Sequence, residues 1–253
     1  MPTPPTHPVI HALVYGDSGA GKTTFAATFP PPLLVAAFDP IGKDTPYHKL
    51  GTPQPVVLDD ALGVYTRDIT HPRQTDFVLC RLVYFHDPDF TNPRAYPAFQ
   101  RWMATTDFAE WATFVVDSAT FMELMARKYC QFKLNPASKE PRQWFAGGTD
   151  LLEDMVMGRL ASMLINVVAV AHVDEDKDEF HGTFVRSPKF PGRMRKGVSA
   201  AFAEVYRAYV ARNDKGEMYY ALQTRSDLLY QAASQIGAPN PCWPSYEALW
   251  TPA

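Results

Sequence analysis

Residues 16–23, Gly16-Asp17-Ser18-Gly19-Ala20-Gly21-Lys22-Thr23, read G-x-x-x-x-G-K-T, and they decide the fold. A chain of phosphates needs many hydrogen-bond donors at short range, and only a backbone almost bare of side chains can wrap it. Gly16, Gly19 and Gly21 permit that wrap, so that successive N–H groups, those of Asp17, Ser18, Ala20 and Thr24 included, can turn toward one anion. Lys22 supplies a point charge for the outer phosphate oxygens, and Thr23 a hydroxyl for Mg²⁺. A helix starting here directs the positive end of its dipole at the same anion.

The flanks agree with this reading. Val9-Ile10-His11-Ala12-Leu13-Val14-Tyr15 is short, apolar and rich in β-branched residues, as a buried strand is. Thr23-Thr24-Phe25-Ala26-Ala27-Thr28-Phe29 can form a helix that Pro30-Pro31-Pro32 stops. A glycine-rich turn with a stray lysine would need neither flank. The sequence predicts a nucleoside triphosphate site.

At 253 residues with 46% hydrophobic and 20% charged content, the chain suits one large α/β domain. The start, Met1-Pro2-Thr3-Pro4-Pro5, lacks a basic-then-apolar signal pattern, and no apolar run reaches membrane-spanning length. Cys80, Cys130 and Cys242 are far apart and odd in number, without metal-ligand spacing, so reduced thiols in a cytoplasmic protein are expected. The net charge of −3 argues against a surface that coats nucleic acid throughout. Any such contact has to be local.

Residues 1–8 read as a flexible lead, 9–236 as the core and 237–253 as a proline-rich tail. Leu33-Leu34-Val35-Ala36-Ala37-Phe38 is a second strand ending at Asp39. Residues 40–76 carry only turn signals. Strands are expected over 77–85 and 111–117, with helices over 98–105, 119–133 and 150–163 and a loop over 135–149. Leu164 to Ala171 is an apolar strand delivering His172, followed by a long polar loop over 173–197. The Asn213-Asp214-Lys215-Gly216 turn joins two further strands, 204–212 and 217–224. Strands alternating with helices argue for a mainly parallel sheet with an appended hairpin.

Asp117, after Val115-Val116, has the form of a Walker B carboxylate that holds Mg²⁺ opposite Thr23. An aspartate capping the next helix would look the same. Ser118 follows where many ATPases place a water-polarising glutamate, which leaves Asp39 as the candidate base and Glu123 as the next. A turn aspartate before Pro40 is the plainer reading of Asp39.

This combination resembles the RecA-like P-loop ATPase core. Within it, the chain resembles phage-encoded, Sak-type single-strand annealing and recombination ATPases. The likeness is carried by Tyr15–Phe29, Val115–Ser118, Ala171-His172 and Gly192–Tyr206. It implies an ATPase with ATP and Mg²⁺ as cofactors, Lys22, Asp39 and Asp117 at the reacting end and His172 as a γ-phosphate sensor. It also implies a homo-oligomeric ring or filament on single-stranded DNA, with a single-strand binding protein as a further possible partner. Loops 135–149 and 173–197 would face the DNA.

The second loop has physical support of its own. Arg186, Lys189, Arg193, Arg195 and Lys196 lie within eleven residues, interleaved with Phe184 and Phe190. Cations can follow phosphates while aromatic faces stack on bases. The loop opens with acid at Asp174-Glu175-Asp176, as a solvated charge run does. Relatives often carry a lysine and an arginine after the last core strand, where this chain has Ala232-Ala233-Ser234-Gln235, and Arg225 is the nearest substitute for a finger acting in trans. Without a finger the ATPase would be slow. The rival expectation is a nucleotide-gated assembly or packaging protein with a protein partner.

Overall fold

The computed structural model of the chain describes residues 7–40, 42–61, 63–177 and 184–251, with the backbone alone at 176, 177 and 196. Strands of a parallel sheet are covered on both faces, so their side chains are apolar throughout. β1 (His11–Gly16), β2 (Leu33–Ala37) and, later, the strand Thr113–Asp117 obey this, with almost every residue buried. Between β1 and β2 lies a short helix, α1 (Lys22–Ala26). Two small strands, β3 (Thr52–Pro53) and β4 (Val57–Asp59), precede a long hairpin of β5 (Val64–His71) and β6 (Gln74–Tyr84). Next come α2 (Ala95–Thr105), β7 (Thr113–Asp117), α3 (Ala119–Tyr129) and α4 (Pro141–Glu153). The chain continues with β8 (Asn166–Lys177), β9 (Phe184–Pro188), α5 (Met194–Gly197), β10 (Glu204–Arg212), β11 (Met218–Gln223) and β12 (Ala233–Ser234).

The main sheet runs β11-β10-β1-β8-β7-β2-β6-β5-β3. Its centre, β10 through β6, is parallel, and the strands outside it pair antiparallel. β8 separates the glycine-loop strand from the Asp117 strand. The carboxyl ends of β1, β2, β7 and β8 therefore open onto one crevice, the usual ligand position in an open α/β sheet. This is the RecA-like P-loop fold expected from the sequence, with the expected hairpin made by β10 and β11.

Each face of the sheet has its own core. Leu13, Tyr15, Phe114 and Val116 pack under α2, α3 and α4. Ala12, Val14, Val35 and Val168 pack under α1, the turn Thr45–Leu50 and the segment Ala238–Leu249. α1 is only five residues long and cannot cover that face alone. The proline-rich segment after Gly237 does so instead: Tyr246 and Leu249 are buried, and His7 stacks on Trp250 at 4.4 Å. Residues 1–6 of the expected lead lie outside the described residues.

Three expectations need correction. Residues 135–149 are not one loop, because α4 begins at Pro141. Gly147 and Gly148 mark a close crossing: a Cβ on Gly148 would sit 3.0 Å from Arg127 Cα of α3. Residues 40–76 contain the β5 strand, whose partly exposed side chains hide its apolar signal. The segment 173–197 is mainly a hairpin, since β8 continues past His172 and pairs with β9 from Val173↔Pro188 to Lys177↔Phe184. Among the described residues no helix is long and apolar enough to cross a membrane, and the cysteines are free and buried.

Candidate functional site

The crevice holds a cavity of about 640 Å³, lined by the glycine loop from Ser18, by Thr23 and Thr24, and by Asp39, Asp117, Ser118 and His172. The loop is shaped by its surroundings. A side chain on Gly16 would place its Cβ 2.2 Å from the carbonyl oxygen of Ala208 on β10, so only glycine lets β1 leave the sheet here. Gly19 and Gly21 have φ of 79° and 85°, the left-handed region that glycine enters without steric cost.

Lys22 is 7% exposed and donates to the carbonyl oxygens of Gly16 at 2.9 Å and Asp17 at 2.7 Å. Burial lowers its pKa, opposed by the nearby Asp117, Asp39 and Asp17. The ammonium is thus short of solvent and saturated only by neutral carbonyls. Phosphate oxygens would satisfy it better.

Asp117 ends β7 and is buried. Burial, and then the adjacent Asp39, push its carboxyl up to about 6, against the opposing hydrogen bonds of Thr23 and Tyr47. The Tyr47 hydroxyl donates to Oδ2 at 3.1 Å. A desolvated carboxylate beside a second carboxylate and a threonine hydroxyl is a donor set suited to a divalent cation. Among the described residues no group of three His, Cys, Asp or Glu side chains gathers to hold a metal. Asp117 and the Thr23 hydroxyl bonded to it are ligands of the kind Mg²⁺ takes, an ion that shares its remaining positions with phosphate and water.

Asp39 stands just past β2. Its Oδ1 accepts from the Ser118 hydroxyl at 2.7 Å, and its Oδ2 lies 4.0 Å from Lys43 Nζ. The Ser118 side chain also caps α3 through Phe121 N at 3.4 Å. The serine that replaces a glutamate in sequence thus orients the aspartate one strand away. His172 is where β8 leaves the parallel sheet: it is the last residue in register with β1, opposite Gly16. Its backbone N–H donates to Thr120 Oγ1 at 3.0 Å, and its ring meets Phe121 edge-on. Burial, and then the Lys22 charge, lower its pKa, so the imidazole is neutral at neutral pH and can donate only one ring N–H.

The structure brings Ser18, Gly19, Gly21, Thr24, Lys22, Thr23, Asp39, Asp117 and His172 to one cavity and leaves Arg225 and the described candidates for DNA contact outside it. Arg225 is exposed and does not line the cavity. Phe190 is corrected outright: it is 2% exposed, packed with Met194 and Val198, and cannot stack on a base. Arg186 pairs with Glu175, Arg195 with Asp174 and Arg193 with both Asp150 and Glu153. Lys189 is exposed, its N–H bound to the His172 carbonyl at 2.8 Å. The side chain of Lys196 lies outside the described residues.

Sequence reasoning missed the cavity's other wall. Tyr220 of β11 lies against the loop, 3.1 Å from where a Gly21 Cβ would be. Trp243, Pro244 and Ser245 line the same space. The aromatic residues of these two segments were the only signal available, and nothing local ties them to the glycine loop. Tyr47 was equally hidden, in a stretch that offered only turns.

The family model described as AAA domain matches residues 10–233. The chain belongs to this AAA-domain family. The match runs from β1 to β12 and so takes in every cavity residue of the family's P-loop side, while the Trp243 wall lies beyond it. No curated protein matches the chain. Among solved structures, the flagellar accessory protein FlaH from Methanocaldococcus jannaschii is 10% identical, with 89% of this chain and 82% of that one covered and a TM-score of 0.40. A KaiC-like protein from Pyrococcus horikoshii OT3 is 13% identical, with 89% and 83% covered and a TM-score of 0.41. The RadB recombinase is 15% identical, with 86% and 88% covered and a TM-score of 0.41.

Proposed function

We propose that the protein binds ATP with Mg²⁺ and hydrolyses it slowly, as a nucleotide-dependent machine that assembles with itself on single-stranded DNA in phage-type recombination or replication. The observation that carries the ATPase part is the convergence of Lys22, Thr23, Asp39, Asp117 and His172 on one cavity at the carboxyl ends of four strands. The loop N–H groups and Lys22 hold the phosphates. Thr23 and Asp117 would hold the cation, which neutralises phosphate charge when bound. Asp39, fixed by the Ser118 hydroxyl, is the base that orients water and takes its proton, and His172 donates a hydrogen bond to the terminal phosphate. No cation of the chain's own last strand reaches the cavity, which suits a slow enzyme or one that needs a neighbouring copy's Arg225.

Support for DNA is the β8–β9 hairpin, which grows directly out of the His172 strand and exposes Phe184 at its far end. A nucleotide-gated protein with a protein partner is the second reading. It is favoured by the internal pairing of Arg186, Arg193 and Arg195, whose carboxylate partners a phosphate backbone would have to displace. ATP turnover measured with and without single-stranded DNA separates the two. Stimulation that salt abolishes supports DNA; turnover indifferent to DNA at low salt overturns it in favour of the protein partner.

A further inference from the structure

The cavity extends past the residues that handle phosphate, and what closes it there is aromatic. Trp243 is 63% exposed and Tyr220 is 47% exposed, yet both line the cavity. Large aromatic faces left open on a cavity wall are a feature of ligand sites.

Two unrelated segments are anchored to bring these rings together. The β10–β11 hairpin overhangs the end of β1 and lays Tyr220 on Gly21. The C-terminal segment is pinned twice: Cys242 exchanges backbone hydrogen bonds with Leu222 at 2.9 and 2.8 Å, and Tyr246 N–H donates to Thr28 Oγ1 at 2.8 Å. Trp243, Pro244 and Ser245 are the residues held between those pins. Thr28, on the turn that follows α1, lines the cavity together with Thr23 and Thr24.

Thr28 Oγ1 donates to the Phe25 carbonyl at 2.7 Å while accepting from Tyr246, so its O–H is committed, and Ser245 Oγ accepts from Ala248 N at 3.3 Å and retains its own O–H as a donor.

We propose that Trp243 and Tyr220 form the base-binding end of the nucleotide site, a stacking surface for purine nucleotides. The inference rests on the reading of the glycine loop as a phosphate site, and it assigns the C-terminal segment a part in nucleotide recognition.

The test is calorimetric titration of the full-length parent, Trp243→Ala and Trp243→Phe with Mg²⁺ and, separately, tripolyphosphate, ADP, ATP and CTP. Stacking lost to alanine should weaken ATP and ADP binding about five- to a hundredfold, with tripolyphosphate affinity unchanged. Trp243→Phe should restore most of the loss. The parent should bind CTP more weakly than ATP, for its smaller ring. In parallel, ATP but not tripolyphosphate should alter the fluorescence of the parent, and this change should vanish in Trp243→Phe. Parental ATP affinity in Trp243→Ala, or an equal loss for ATP and tripolyphosphate, overturns the proposal. A parent that binds neither tripolyphosphate nor ATP overturns the phosphate-site reading itself.

Discussion

The glycine loop and the charged hairpin of β8 and β9 leave the same strand-end region of the sheet, and both are rich in glycine or cations. One is a site whose chemistry is set by backbone, and the other is a surface whose chemistry is set by partners. In the loop, glycine spacing dictates where N–H groups point, and the Lys22 ammonium is hydrogen-bonded to the backbone carbonyls of Gly16 and Asp17. In the hairpin, every arginine in the strip faces a carboxylate, and Phe190 has turned inward. Spacing along a chain fixes the direction of a backbone but not the company a side chain keeps.

The largest expected effect is on the loop. Lys22→Ala should cost turnover on the order of 10³, with ATP affinity lost alongside, because the removed charge faces the developing phosphate charge. Because Lys22 is buried and holds the Gly16 and Asp17 carbonyls, the melting curve of the variant is recorded beside its turnover to show that it is folded. A folded variant that keeps parental turnover would break the contrast at its strong end. Asp39→Asn should reduce turnover about 10²-fold or more and leave ATP affinity within a few-fold, as expected for a proton acceptor that holds no phosphate. Binding by calorimetry and turnover by phosphate release, measured on the same sample, decide whether Asp39 is that base or Glu123 must be considered. Glu123 is the weaker candidate because it is already engaged by Arg127 at 3.0 Å.

Next in size is a stability effect at Asp117. Its native pKa of about 6 lies above the ordinary 3.8, so the folded chain holds an extra proton between those values and stability falls as pH rises through them. Above pH 6 the ionised carboxylate costs the metal-free fold about 3 kcal/mol. Asp117→Asn should therefore raise the melting temperature of the metal-free protein at pH 8, leave it nearly unchanged near pH 4, and abolish Mg²⁺-dependent turnover. Equal melting curves of parent and variant at pH 8 would show that the site is not desolvated.

The smallest effect belongs to the hairpin side. If single-stranded DNA binds there, neutralising both partners of Arg193 with Asp150→Asn and Glu153→Gln should tighten binding and steepen its salt dependence by about 0.7 in log–log slope, one further phosphate contact. An unchanged slope would leave the arginine strip structural, and the protein-partner reading would gain.

How far the sequence could be read follows the same division. The phosphate loop, the Asp117 strand, the His172 strand and the Asn213–Gly216 turn were legible because each rests on local pattern: glycine spacing, a continuous apolar run or a turn dipeptide. Ser118 was noted for what it was not, while its hydrogen bond to Asp39 crosses 79 residues of sequence. Gly147 and Gly148 read as a loop because glycine disfavours helices, although here it admits α3 to close contact. Phe190 sits among cations in sequence and among apolar side chains in space. Trp243 and Tyr220 share a wall because Cys242 pairs with Leu222 of β11 across an intervening stretch of irregular chain, an arrangement that local pattern does not encode.

The pairing described for the short strands bears on how copies of this chain can meet. β5, the last long strand on one side, has its outer edge taken by β3 and β4, only two and three residues long, one of them ending in proline. On the other side Cys242 occupies the outer edge of β11 at Leu222. The free edge of β9 is held by Leu229 and Gln231, which bond Arg186 at 2.7 and 3.2 Å. Exposed ladders are what let folded sheets fuse into aggregates, and here β5 is covered by two short strands while the outer edge of β11 is met at Leu222 alone. A second copy approaching the β5 side would meet side chains rather than a long open ladder, and a contact of that kind forms and breaks without unzipping any strand.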